Sequence, residues 1–94
     1  MLELRVTESG TVHVRGRLDA AESERALAML NKLPGPLTLD CADLEYISSA
    51  GISVIMETLR RLTQQGSRLS LLDLKPRVRS VFVYAGLDKV LDIR

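Results

Sequence analysis

The sequence has very little of the side chains that small enzymes and metal-binding domains use for chemistry. It contains one cysteine, Cys41, and one histidine, His13. A single cysteine excludes an internal disulfide and a zinc site built on a cysteine cluster, and a free thiol is typical of the reducing cytoplasm. A reactive thiol needs an activating base beside it, which the pattern does not supply. We therefore expect Cys41 to be inert and buried.

The chain also lacks an excess of charge of one sign and long apolar runs. Its 13 basic and 12 acidic residues give a net charge of +1, and no DNA-reading motif accompanies the basic residues, so nucleic acid is not an expected partner. No stretch approaches the roughly 20 apolar residues that span a bilayer, so we expect no membrane insertion. Neither a Walker A motif nor a Gly-x-Gly-x-x-Gly loop is present. We therefore expect a cytoplasmic protein without a cofactor.

Apolar residues make up 46% of the 94 residues, which is enough for one hydrophobic core. This length predicts a single domain spanning residues 1–94. Alternation of apolar and polar residues, or apolar residues at helical spacing, marks eight elements in the order β-β-α-β-α-β-α-β. The predicted strands are Leu2–Val6, Val12–Leu18, Leu37–Cys41, Arg68–Leu72 and Val90–Ile93. The order predicts an α/β fold in which a starting hairpin, turning at Glu8-Ser9-Gly10, joins parallel βαβ units in a mixed sheet.

Capping signals locate the first helix. Asp19 is a preferred N-cap, and Glu22 three residues later completes the pattern of a capping box. We therefore expect a helix from Ala20 to Lys32, which the Pro34-Gly35-Pro36 turn ends. Residues 43–47 are expected to connect the third strand to the second helix.

The most informative segment delivers two serines, Ser48 and Ser49, to the start of the second helix. The small residues Ser49, Ala50 and Gly51 would let another surface approach closely, and a helix N-terminus favours a phosphate. One interpretation is that a serine here only caps the helix. The other is that its hydroxyl is a modification site where added charge does not unfold the helix. The residue pattern alone leaves both open.

The motif that carries a resemblance is Asp43-Leu44-Glu45-Tyr46-Ile47-Ser48-Ser49-Ala50-Gly51-Ile52, followed by a helix ending near Gly66, then Pro76 and Ala85-Gly86-Leu87. In these residues the chain resembles the STAS family, which includes bacterial anti-sigma factor antagonists. The resemblance implies a STAS-type fold with helices packed on a mixed sheet.

In that family the phosphorylated residue often follows an Asp, and it precedes Ser, Thr or Ala and then Gly. The match assigns phosphorylation to Ser49, with Ser48 in the place of the Asp as the less favoured candidate. It further implies a partner-binding surface comprising Ser48, Ser49, Ala50, Gly51 and Ile52.

The resemblance also implies a partner-switching function. The unphosphorylated domain would bind an anti-sigma factor that is an ATP-dependent serine kinase, and so free a sigma factor. Phosphorylation would end this binding, and a metal-dependent serine phosphatase would restore it. The alternative is a constitutive STAS subunit of a lipid-transport ABC complex, which has no phosphoswitch.

Other functions fit the residues less well. A nucleophilic Ser49 needs a base and an orienting group, and the Gly-x-Ser-x-Gly elbow is missing, so we expect no enzyme. Asp40, Asp43 and Glu45 are more typical of solvated or capping carboxylates than of a metal site. Two groups of basic residues are expected either to be solvated or to form a rim that meets an acidic partner; they are Arg60, Arg61 and Arg68, and Lys75, Arg77 and Arg79.

Overall fold

The computed structural model describes residues 1–8 and 10–94. The strands are β1 (Leu2–Glu8), β2 (Thr11–Leu18), β3 (Leu37–Ile47), β4 (Leu69–Leu72) and β5 (Asp92–Ile93). The helices are α1 (Ser23–Leu30), α2 (Ser49–Gln64) and α3 (Pro76–Tyr84), and a short 3-10 helix spans Leu87–Lys89. The predicted order of strands and helices is confirmed. Ser9, in the predicted hairpin turn, lies outside the described residues.

The five strands form one sheet in the order β1-β2-β3-β4-β5. β1 and β2 are antiparallel, and every other neighbouring pair is parallel. The starting hairpin and the parallel βαβ units that the sequence predicts are therefore confirmed. β3 is the longest strand: it pairs with β2 along most of its length, but its pairing with β4 ends at Asp40 and Leu72.

Alternation along the strands separates a buried face of the sheet from an exposed one. In β2, Val12, Val14 and Leu18 are buried, whereas Arg15 and Arg17 are exposed. The buried strand residues join the apolar faces of the helices in one core. Its most fully buried side chains are Phe82, Leu30, Leu39, Leu62, Leu71, Val12, Val78 and Thr58.

The third strand and the first helix correct the predictions. β3 continues past Cys41 to Ile47, because β2 remains paired with it as far as Leu18; residues 43–47 are strand, not a connection. α1 begins at Ser23, later than expected. The Asp19 carboxylate accepts from the Glu22 amide at 3.2 Å and so closes a turn ahead of the helix.

The predicted capping box is also wrong in its second half. The Glu22 carboxylate accepts from the amide of Leu2 in β1 at 3.1 Å, so it ties the start of α1 to the edge of the sheet. At the C-terminal end, the last strand is shorter than predicted. Val90 follows the 3-10 helix, and only Asp92–Ile93 pairs with β4.

Candidate partner-binding site at the start of α2

The turn between β3 and α2 is held by the end of β2. The Ser48 amide donates to the Leu18 carbonyl oxygen at 3.0 Å. Leu18 is also the last residue of β2 to pair with β3, opposite Ile47. The first turn of α2 is therefore fixed against the ends of two central strands.

Ser48 is the N-cap of α2. Its backbone is extended, with φ −96° and ψ 175°, and its hydroxyl accepts from the Gly51 amide at 3.1 Å. Its carbonyl oxygen accepts the first helical hydrogen bond, from the Ile52 amide at 2.8 Å. This is the arrangement that makes serine a preferred cap. Of the two serines, the capping role therefore belongs to Ser48 and not to Ser49.

Ser49 is the first residue of α2, and it is exposed. Its carbonyl oxygen accepts from the Ser53 hydroxyl at 3.2 Å. Its own hydroxyl makes no hydrogen bond within residues 1–8 and 10–94. The two serines therefore differ in surroundings: one hydroxyl is engaged in capping, and the other faces solvent at the positive end of the helix.

Gly51 is buried, and its lack of a side chain serves the interior of the protein. A Cβ atom at this position would lie 2.5 Å from the Leu18 carbonyl oxygen and 2.7 Å from Cγ1 of Ile47. Gly51 therefore lets α2 approach the ends of β2 and β3, and the expectation that it also lets an outside surface approach stays a prediction. Of the other predicted contact residues, Ala50 is half-buried and Ile52 packs against the core.

A shallow groove of about 340 Å³ runs beside this end of α2, between α2 and α1. It is lined by Ser23, Glu24, Leu27, Ala50, Ser53, Val54 and Glu57. The sequence reasoning did not place α1 at the site. The apolar spacing of α1 indicates that this helix is packed, but it does not indicate which helix it lies beside.

The histidine is too distant to act as a base for Ser49. His13 Nε2 lies 2.7 Å from an Asp43 carboxylate oxygen. Strands rise about 3.3 Å per residue, so His13 is about 16 Å along β2 from Leu18, which holds the turn. A nucleophilic serine needs its base within hydrogen-bond reach. The arrangement therefore presents a hydroxyl but does not activate it.

The Cys41 thiol is buried, as expected. Burial, together with the smaller effect of the nearby carboxylates of Asp40 and Asp73, raises its pKa to about 12. The thiol therefore stays protonated at neutral pH, where only the thiolate is a good nucleophile.

The three carboxylates considered for metal binding have separate partners. The Asp40 carboxylate accepts from the Ala42 amide at 3.2 Å, Asp43 pairs with His13, and Glu45 lies 3.5 Å from Lys75 Nζ. In the described ranges, these and the other potential ligands form no cluster of three or more. None of the described helices is both long enough and apolar enough to span a bilayer.

Comparison with known proteins places the chain in a family. Residues 3–92 match the family model described as "Mlab, STAS domain". The chain is 32% identical over 84 residues to "Putative anti-sigma factor antagonist BtrV" of Bordetella bronchiseptica. The matched region covers 85% of this chain and 72% of that protein. It is 27% identical over 85 residues to the anti-sigma-B factor antagonist of Bacillus subtilis, which covers 87% and 78%.

Among solved structures, the fold is similar to that of the Bacillus cell fate determinant SpoIIAA in its phosphorylated form. The TM-score is 0.72 at 22% identity, over 100% of this chain and 91% of that one. This agreement covers the sheet and the helices described above. Sequence and fold together show that the chain belongs to the STAS domain family and is homologous to anti-sigma factor antagonists.

Proposed function

We propose that this protein is an anti-sigma factor antagonist that works by partner switching at Ser49. Its unphosphorylated form binds an anti-sigma factor with serine kinase activity in the cytoplasm and thereby frees a sigma factor. Phosphorylation of Ser49 ends the binding, and a metal-dependent serine phosphatase restores it. The domain itself catalyses no reaction and needs no cofactor.

The observation that carries this proposal is the difference in hydrogen bonding between the hydroxyls of Ser48 and Ser49. Ser48 uses its hydroxyl to cap α2, whereas the exposed hydroxyl of Ser49 has no hydrogen-bond partner in the described part of the chain. A kinase can reach Ser49 without first opening the cap. The same difference favours Ser49 over Ser48 as the phosphorylated residue, in agreement with the family pattern.

Helix electrostatics explain how a phosphate at Ser49 leaves the fold intact. A negative charge in the first turn of a helix is stabilised by about 0.3–1 kcal/mol. In a partner interface built around a hydroxyl, the same charge loses its water and meets groups that do not pair with it. Such mismatches cost several kcal/mol, and every 1.4 kcal/mol is about tenfold in affinity. The modification therefore acts on binding and not on folding.

The test uses the purified anti-sigma factors of the source bacterium, each incubated with the protein and ATP. We expect one phosphate per chain, mapped to Ser49. Labelling should disappear in Ser49→Ala and persist in the matched variant Ser53→Ala, which removes an exposed hydroxyl one turn further along α2. Stoichiometric phosphate on Ser48, or undiminished labelling of Ser49→Ala, would contradict the assignment.

Calorimetric titration then measures the switch. Ser49→Asp should bind the anti-sigma factor at least about a hundredfold more weakly than the parent, whereas Ser49→Ala should bind but no longer respond to ATP. Thr63→Asp adds the same charge about 21 Å along α2 and should bind normally. If the phosphorylated protein binds as tightly as the unmodified one, there is no phosphoswitch, and the constitutive subunit of a lipid-transport ABC complex replaces this proposal.

A further inference from the structure

A second groove, here called the Tyr46 groove, lies where β3 extends beyond β4. Its volume is about 400 Å³, within the range of sites that bury small ligands. After Asp40, β3 pairs with none of the described strands on this side, and α3 packs against it. The residues that line the groove are Arg17, Glu45, Tyr46, Ile47, Arg77, Val78 and Val81.

The groove presents apolar surface to solvent. Val78 is buried beneath it, but Tyr46 and Val81 remain 40% and 37% exposed. Single exposed apolar residues are ordinary on protein surfaces. Here two of them, from different elements, face one concave surface, which is a feature of binding grooves.

The charges around this apolar surface are mainly positive. The Arg17 guanidinium lies 4.1 Å from the centre of the Tyr46 ring, and its Nε is 3.8 Å from an Asp19 carboxylate oxygen. Arg77 takes part in no ion pair within the described residues. Glu45, the one acidic residue among the described residues that line the groove, is paired with Lys75 at 3.5 Å. A ligand with carboxylates beside an apolar group complements this pattern.

Two residues of the Tyr46 groove are chain neighbours of the turn that carries Ser49. Ile47, which lines the groove, directly precedes the cap residue Ser48. Arg17 precedes Leu18, whose carbonyl oxygen holds the Ser48 amide. The groove and the turn therefore both lie at the ends of β2 and β3.

We propose that the Tyr46 groove is a second docking surface for the anti-sigma factor, and that it takes an acidic segment of that partner. The segment places an apolar side chain between Tyr46 and Val81, and its carboxylates pair with Arg17 and Arg77. This inference rests on the proposed function for the identity of the partner. It gives Arg17 of β2 and Arg77 of α3 the role of a rim that selects and steers an acidic surface.

Two matched pairs of variants on α3 test the groove with the anti-sigma factor that binds the parent. Arg77→Glu should lower the affinity for the anti-sigma factor at least about tenfold, with a smaller difference at high salt. Its control is Arg79→Glu, which reverses an exposed charge outside the groove. Val81→Ser should lower this affinity about three- to tenfold through lost apolar contact. Its control is Val83→Ser, which removes a similarly exposed valine outside the groove. Both controls should bind within about twofold of the parent. Thermal melting confirms that each variant is folded.

A peptide separates failure of this inference from failure of the proposed function. The probe is acetyl-Gly-Glu-Asp-Leu-Phe-Asp-Glu-Gly-amide, and its control has Gln and Asn in place of the acids. Titration of the isotopically labelled protein should shift the amide signals of Tyr46 and Val81 with the acidic peptide only.

If the anti-sigma factor binds all four α3 variants equally, or if the controls weaken binding as much as the groove variants, the docking surface is refuted while the switch stands. If no anti-sigma factor binds the parent, the proposed function and the partner assignment fail together. The peptide shifts then show whether the groove still selects acidic segments. Equal shifts with both peptides, or none at millimolar concentration, refute that selectivity.

Discussion

Replacing Ser48 by alanine tests the central feature of the site, the separation of the cap from the exposed hydroxyl. The change removes the oxygen that accepts from the Gly51 amide at 3.1 Å, so an amide at a buried position loses its partner. Loss of an N-cap costs about 0.5–2 kcal/mol, typically about 1. For a domain of this size, each 1 kcal/mol lowers Tm by about 4–8 °C. We therefore expect a fall of that order for Ser48→Ala.

The neighbouring substitution should behave differently. Ser49→Ala removes a hydroxyl that has no hydrogen-bond partner in the described chain, so its free energy of unfolding should stay within about 0.5 kcal/mol of the parent. Ser48→Asp keeps an accepting oxygen at the cap and adds a charge that suits the helix N-terminus. It should therefore recover the stability that alanine loses.

The assays are thermal melting followed by circular dichroism and urea unfolding at equilibrium. The urea midpoint should move while the slope m stays constant, which identifies a change in stability rather than in the unfolded state. Two results would refute the reasoning: a loss in Ser49→Ala as large as that in Ser48→Ala, or no recovery in Ser48→Asp.

Experiments at three further positions, Gly51, Cys41 and Ser70, test the interior and the sheet edge. Gly51→Ala places a Cβ 2.5 Å from the Leu18 carbonyl oxygen and should lower the free energy of unfolding, measured with urea, by about 1–3 kcal/mol. An unchanged urea midpoint would show that the turn accommodates the Cβ without loss of stability. Burial raises the pKa of Cys41 from 9.0 to about 12, so iodoacetamide at pH 8.5 should label it only after unfolding. Because the unfolded thiol ionises first, the free energy of unfolding should also fall as pH rises above about 9; rapid labelling of the native protein would contradict both statements. The hydrogen bond from the Ser70 hydroxyl lowers the pKa of Asp92, and Ser70→Ala should raise that pKa in an NMR titration, whereas an unmoved titration would exclude this cause.

The sequence predicts the order of elements because the relevant signals are local. Leu2 and Val14 belong to alternating strand patterns, and Val54 and Leu62 belong to the apolar face of α2, which turns towards the core. These patterns need no knowledge of distant residues. The hairpin and the parallel βαβ units follow from their succession along the chain.

The errors occur where distant residues decide the local structure. Asp43 and Glu45 are polar, so residues 43–47 have the composition of a connection. Pairing with β2 nevertheless keeps them in the strand, with Leu44 and Ile47 buried. The Tyr46 groove exists because this strand outlasts its pairing with β4, and that register is not visible in the residues themselves.

The choice of the helix cap between two adjacent serines is harder to predict than the order of elements. Ser48 and Ser49 are adjacent, and both are of the residue type that caps helices. The choice depends on which carbonyl accepts the first helical hydrogen bond, and in the structure it is that of Ser48, bonded to Ile52. Sequence alone can place a serine at the start of the helix. The apolar spacing does not define the first helical residue to within one position, so it cannot decide between Ser48 and Ser49.

The position of the cap also explains how the chain departs from the family pattern without losing the local structure. Ser48 stands where the family often has Asp, and serine and aspartate cap helices about equally well. The cap, worth about 1 kcal/mol, is therefore preserved while the carboxylate is lost. A charge on the next residue, Ser49, then adds about 0.3–1 kcal/mol of favourable interaction with the helix and leaves the cap intact. Both local effects are smaller than the several kcal/mol that an unmatched charge costs inside an interface, so the phosphorylation proposed for Ser49 would weaken partner binding without unfolding the domain.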